Sequence, residues 1–170
     1  MNIQTVAEYF EKLCREHKLL RHSEAEPHFV NLNDDKRNMG LVQELRYPAV
    51  YFEATDFTLN ISSESLRREY TCHIEVFEHV ADTGDYAEVE RALSSAEQIL
   101  TDIFARMMHD RVRRTTDQRW LLNVSSPSMI KVVPLQNEHN ALYGYMAELK
   151  VPLPGCITDS INNFISSSNG

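Results

Sequence analysis

The chain has 170 residues, 42% of them hydrophobic and 25% charged, which fits one globular domain able to bury its own core. Its formal net charge of −8 argues against a protein that grips a nucleic-acid backbone, which needs clustered Lys and Arg. No apolar run approaches the ~20 residues of a membrane span.

Residues 1–12 contain neither a basic n-region nor an apolar h-region, which predicts no secretory signal. Cys14, Cys72 and Cys156 are odd in number and widely spaced, which predicts reduced thiols in a cytosolic setting. The first element is a helix over residues 4–20. Thr5 is its predicted N-cap, and Glu8 completes a capping box. Val6, Tyr9, Phe10, Leu13 and Leu20 form the apolar stripe, and His17 beside them reads as a packed core histidine. Residues 22–46 are irregular, with a short edge strand at Phe29, Val30 and Leu32. Asp34 to Arg37 lacks the alternation and terminal Glu of a calcium loop and reads as a solvated turn.

Tyr47-Pro48 opens a strand that runs through Ala49 to Ala54, and Phe57 to Ile61 continues it after a bend. Residues 62–68 read as an exposed turn. Tyr70, Cys72, Ile74 and Val76 then alternate with Thr71, His73 and Glu75, the pattern of a half-buried strand with one wet face. Phe77 interrupts the polar side.

Residues 85–112 predict one long helix. Tyr86, Val89, Leu93, Ala96, Leu100, Ile103 and Met107 follow at alternating steps of three and four, which places all seven on one face. At 1.5 Å per residue it spans roughly 40 Å, so it must lie across something flat and apolar. Asp85 with Glu88 repeats the capping box. Arg106, Arg111, Arg113 and Arg114 gather at the far end, where cations complement the helix dipole. A phosphate contact at Arg111, Arg113 and Arg114 is the sharper reading of the same residues.

The remainder is β-rich. Trp120 to Val124, Met129 to Leu135 and Leu142 to Leu153 read as strands, with Asn137 to Asn140 as a hairpin turn. In the last strand Tyr143, Tyr145, Ala147, Leu149 and Val151 share a face, and Gly144 predicts a bulge or a close backbone approach. Residues 1–155 thus form a single α+β domain, a mostly antiparallel sheet packed by the long helix and the N-terminal one. Residues 156–170 form a C-terminal arm. In it Ile157, Ile161, Phe164 and Ile165 fall at helical spacing behind Thr158 or Asp159 as a cap. So short a helix is not stable alone, which predicts docking on the chain's own body or on a neighbour.

The seven histidines form no H-x-H or H-x-x-x-H pair, and no Gly-rich phosphate loop, G-x-S-x-G elbow or dinucleotide fingerprint occurs. Cys72 and His73 are adjacent in a strand and point to opposite faces, so they cannot act as a couple. Glu75, Glu78 and His79 are within reach of one another near a strand end, and a polar solvent face explains them equally well. No cofactor or metal is expected, and no motif here predicts catalysis.

The order of elements, together with Leu45-x-Tyr47-Pro48-Ala49-Val50 and the last-strand Tyr143-Gly144-Tyr145, resembles the tail terminator and neck proteins of tailed bacteriophages. The likeness covers residues 1–153. The long connection from Asp56 to Arg68 departs from it. The resemblance implies a structural virion protein, made in the bacterial host cytoplasm, that assembles into a ring of roughly six or twelve copies at the head–tail junction. It implies other neck, portal or tail proteins as partners, and DNA passing through the lumen without specific binding. Sheet edges and projecting hairpins are then the expected contacts, with Phe57, Leu59, Ile161, Phe164 and Ile165 as candidates. Two other classes fit the same residues. A small cytosolic enzyme or ligand-binding domain predicts a deep pocket holding a pKa-perturbed His or Glu. A monomeric or dimeric protein-binding adaptor predicts one exposed apolar patch.

Overall fold

A computed structural model describes residues 2–34, 44–61, 66–113, 120, 121, 124 and 130–155. Helix α1 spans Ile3–Glu16. Its cap is Asn2, one turn ahead of the predicted Thr5. The Asn2 carboxamide oxygen accepts from the Thr5 N–H at 3.1 Å, so Thr5 is a donor at the third helical position and the capping box with Glu8 does not form. The helix also stops short of residue 20. His17 turns to extended backbone, and residues 18–20 form a turn that drops Leu20 into the core.

Five strands follow: β1 (Phe29–Asn31), β2 (Ala49–Ile61), β3 (Leu66–His79), β4 (Lys131–Asn137) and β5 (Leu142–Gly155). They form one sheet in the order β1-β2-β3-β5-β4. Only β1 and β2 run parallel. Residues 62–65 of the predicted turn over 62–68 lie outside the described residues, and the rest of it is strand. Leu66 to Arg68 belong to β3, where they pair with Ile61 to Leu59 on one side and Gly155 to Leu153 on the other. The described residues of the long connection from Asp56 to Arg68 are therefore all strand. The predicted strand at Trp120 to Val124 is not one in its described part. Trp120 and Leu121 lie in a short 3-10 turn and are both buried, which an alternating strand with one wet face does not allow.

Helix α2 spans Tyr86–Arg113 and lies across β3 and β5, while α1 packs beside it over β1 and β2. Asp85 caps α2 as predicted, its carboxylate accepting from the N–H groups of Ala87 and Glu88. Glu88 turns outward instead of completing a box and accepts from the N–H groups of Ala81 and Asp82. Ala96, Leu100, Ile103 and Met107 are buried as the periodicity requires, joined by Ala92, Ile99 and Asp110. Tyr86 is not. It is 87% exposed, because it stands one turn before Val89, the first stripe residue that packs.

Both helices share one face of the sheet. Phe10, Phe52, Ile74, Ile99, Ala147 and Trp120 meet there in a single core. Trp120 closes it, packing edge-on to Tyr9 with ring centroids 5.4 Å apart. Gly144 sits where β5 presses onto β3, and a Cβ there would stand 1.8 Å from the Val76 carbonyl oxygen. The close approach predicted for it is real.

No described element covers the opposite face. Its residues are only half wet. Tyr51 and Phe77 meet ring edge to ring face at 5.5 Å, and the Tyr47 and Tyr51 hydroxyls are hydrogen-bonded at 3.2 Å. Phe77 is thus part of an aromatic group rather than a lone surface ring. Thr71, predicted wet, is buried and accepts from the Lys150 ammonium at 2.6 Å.

Candidate assembly interface

The core-facing residues of β2 change parity along the strand. Val50, Phe52 and Ala54 occupy even positions and pack on the helix side. A register shift between Ala54 and Asp56 then adds one residue. Beyond it Phe57, Leu59 and Ile61 take that side, because Phe57 lies opposite the core-packed Tyr70 and their rings meet at 5.3 Å. A bulge does this by re-aiming every later side chain of the strand.

These three residues form an apolar strip in the open. Phe57 is 55%, Leu59 47% and Ile61 71% exposed. On the same rows of the sheet Val151 and Leu153 are buried. The helix layer therefore covers the inner strand of this arm and leaves the outer one bare. Arg68, directly opposite Leu59, flanks the strip on the same face.

The strip also lies on an unpaired edge. β1 pairs with β2 only as far as Phe52. The Asn33 carboxamide then stands in for one more strand residue, accepting from the Ala54 N–H at 2.7 Å and donating to the Ala54 carbonyl at 2.9 Å. From Thr55 to Ile61 no described strand pairs with the outer side of β2. The other edges are protected. β1 has three residues, and β4 carries Lys131 and, mid-strand, Pro134, which has no N–H to offer. The distal β2 edge has no proline, and its one charge, Asp56, stands at its start, which leaves Phe57 to Ile61 with neither device.

The remaining candidates fall elsewhere. Ile161, Phe164 and Ile165 lie outside the described residues, as does Arg114. Arg111 and Arg113 stand in the last turn of α2, Arg111 half-buried and Arg113 exposed. Arg106 does not join them. It bonds Asp110 at 2.9 Å and Glu16 at 3.0 Å, tying the two helices together. Asp110 also accepts from the Tyr9 hydroxyl at 3.2 Å. Burial pushes the Asp110 carboxyl up, but hydrogen bonds from Arg106, His109 and Tyr9 outweigh it and hold the group below the usual carboxylate range.

Glu75, Glu78 and His79 do not converge. Glu78 accepts from the Ser95 hydroxyl of α2 at 2.7 Å, whereas Glu75 is on the opposite face of the sheet. His79 stands beside the Tyr47 ring. Both carboxyls are pushed up from their ordinary values, chiefly by burial. Cys72 is sealed in the core, its thiol pushed up to about 12 by burial, and His73 stands on the other face 4.0 Å from Glu148. Cys14 and Cys72 are free thiols.

Two hollows accompany the helices. A cavity of about 130 Å³ between α1 and β1 holds His22, which pairs with Glu11 at 3.4 Å. It is smaller than the roughly 300 Å³ at which small-molecule pockets begin. An open groove of about 440 Å³ runs between the end of α1 and α2. Four of its charged groups pair with one another, His17 with Asp102 at 3.4 Å and Arg106 with Glu16 at 3.0 Å. Among the described residues no three His, Cys, Asp or Glu side chains stand close enough to hold a metal ion, and no helix is long and apolar enough to cross a membrane. No family model matches the chain, and no curated protein matches it.

Proposed function

We propose that this chain is a non-catalytic assembly subunit that builds a ring with copies of itself through the distal β2 arm. The ring is of the kind formed by tail terminator and neck proteins at the head–tail junction of tailed bacteriophages. One observation carries the reading: Phe57, Leu59 and Ile61 are exposed on a strand edge that has neither a described partner strand nor a protective charge or proline among them. An apolar edge left this way is a template for another chain. A ring needs a head-to-tail contact that closes on itself, and an arm projecting from one side of a domain supplies one half of such a contact. The acidic balance of the chain suits a lumen past which DNA slides. In the virion, neck, portal and tail proteins adjoin the ring.

Light scattering over a concentration series tests the proposal. The full chain is expected to reach a closed mass of roughly six or twelve copies, with assembly rising with concentration. Leu59→Lys is expected to hold the mass at that of the monomer while the circular dichroism spectrum stays unchanged. A full chain that remains monomeric at every concentration overturns the reading.

A further inference from the structure

We infer that the apolar strip of the β2 arm docks on the open face of a neighbouring copy's sheet, with Arg68 set against that copy's Glu75. The inference rests on the ring reading above and names the other half of the contact.

Glu75 marks the receiving surface. It stands opposite Tyr51 on one side and Met146 on the other, and Phe77 follows two residues along on the same face. All four are half-buried, yet no described element lies over them. Glu75 has no hydrogen bond or ion pair among the described residues. Burial and the nearby Glu53 both disfavour its charge, and His73 relieves this only in part. A carboxylate ringed by apolar side chains is costly to leave without a cation.

The strip carries the complement. Phe57, Leu59 and Ile61 are apolar and exposed. Arg68, opposite Leu59, is exposed and has no ion pair among the described residues. A guanidinium suits the Glu75 surface, because it pairs with a carboxylate and stacks on aromatic rings. The sizes agree. The strip runs roughly 13 Å along β2, and the row of Tyr51, Glu75 and Met146 crosses roughly 10 Å of sheet. One copy cannot make this contact with itself, because its strip is on the helix side of the sheet and its Glu75 on the opposite side. The two surfaces differ, so the joint is head-to-tail and propagates around a ring, each arm overlapping the back of the next sheet.

The test uses the full chain. Arg68→Glu and Glu75→Arg are each expected to raise the concentration of half-assembly roughly tenfold or more, with unchanged circular dichroism spectra. A chain carrying both changes restores the pair with reversed sign at every joint and is expected to assemble as the parent does. If either single variant assembles as the parent does, or if the double variant is no better than the singles, the inference falls and the ring reading stands. Cross-linking decides the case in which Glu75→Arg fails to fold. One tagged copy carries Leu59→Cys and a differently tagged copy Met146→Cys, both with Cys156→Ser, while Cys14 and Cys72 are buried. The copies are mixed and treated with bismaleimidoethane. A product joining the two tags is expected, and it must be lost when either new cysteine is absent. Mixed copies that assemble and give no such product overturn the inference. A parent chain that is monomeric at every concentration removes both it and the ring reading.

Discussion

Gly144 lies so close to Val76 that a methyl group on its Cα would sit 1.8 Å from the Val76 carbonyl oxygen and 2.8 Å from its carbonyl carbon. The neighbouring atoms are backbone in the middle of a sheet, so nothing flexible can yield. Gly144→Ala is expected to push β5 off β3 and to cost about 1–3 kcal/mol, the range for overpacking a tight site. Urea unfolding followed by circular dichroism measures it. A variant within 0.5 kcal/mol of the parent, roughly the spread of neutral surface changes, would show that the strands separate freely there.

Tyr9 and Asp110 couple the two helices through a charge that the fold buries. Asp110→Ala leaves the Tyr9 hydroxyl and the Arg106 guanidinium short of an acceptor, for an expected loss of about 1–3 kcal/mol, and Tyr9→Phe is expected to lose about 1 kcal/mol. The pH dependence follows from the direction of the shift. The folded carboxyl lies below its ordinary value, so its stabilising contribution is complete above that value and is lost as pH falls through the folded one. Thermal melts of the parent and Asp110→Asn below about pH 5 check this. The parent should lose stability more steeply with acid than the variant, and parallel curves would refute the assignment.

Local rules were enough to read the parts of this fold that local rules determine. The alternation of Tyr143 to Val151, the glycine among them and the stripe of α2 from Val89 onward follow from side-chain periodicity, and they hold. Apart from the caps at Asn2 and Glu88, which are local, what failed depends on partners far along the chain. Leu66 to Arg68 are polar enough to read as a turn, and they are strand because β5 reaches out to pair with them. Trp120 and Leu121 are buried side by side because Tyr9 and the helix layer receive them. Asp110 breaks the apolar stripe of α2; Arg106, four residues back, gives it a local partner, but the Tyr9 hydroxyl, 101 positions away, could not be read from the sequence. In the candidate interface Phe57 and Leu59 were expected as contacts from the resemblance and not from their pattern, and their exposure is what the structure adds. Ile61 shares their parity and was not singled out. Arg68 was not legible, since its place beside Leu59 is set by register.

His22 is poised to weaken the fold in mild acid. Its Nδ1 accepts from the His28 N–H at 3.0 Å while Nε2 faces Glu11 at 3.4 Å, so the neutral ring with the proton on Nε2 fits the site. A proton on Nδ1 removes that acceptor. Burial depresses the His22 pKa, and the pull of Glu11 only partly offsets it. Because the folded value lies below the unfolded one, stability is complete above about pH 6.5 and declines as pH falls through the folded value. His22→Gln is expected to shrink the fall in melting temperature between about pH 7.5 and about pH 5. An equal fall in both proteins would move the acid sensitivity elsewhere.

Phe57 and Leu59 separate stability from assembly, because they are open to solvent in the single chain. A charge placed there meets water rather than core, so Phe57→Asp and Leu59→Lys are expected to change unfolding free energy by no more than about 0.5 kcal/mol. The same changes put an unpaired charge at the centre of an apolar contact in the assembled ring, where its desolvation opposes binding. The concentration of half-assembly should therefore rise roughly tenfold or more for each. Ile74, buried on the same face of the neighbouring strand, supplies the contrast. Ile74→Ala is expected to cost about 2–5 kcal/mol of stability in the isolated chain. Sedimentation of all three variants beside their urea unfolding curves distinguishes the two roles. If Leu59→Lys unfolds the chain as Ile74→Ala does, the strip belongs to the monomer's own core and not to an interface.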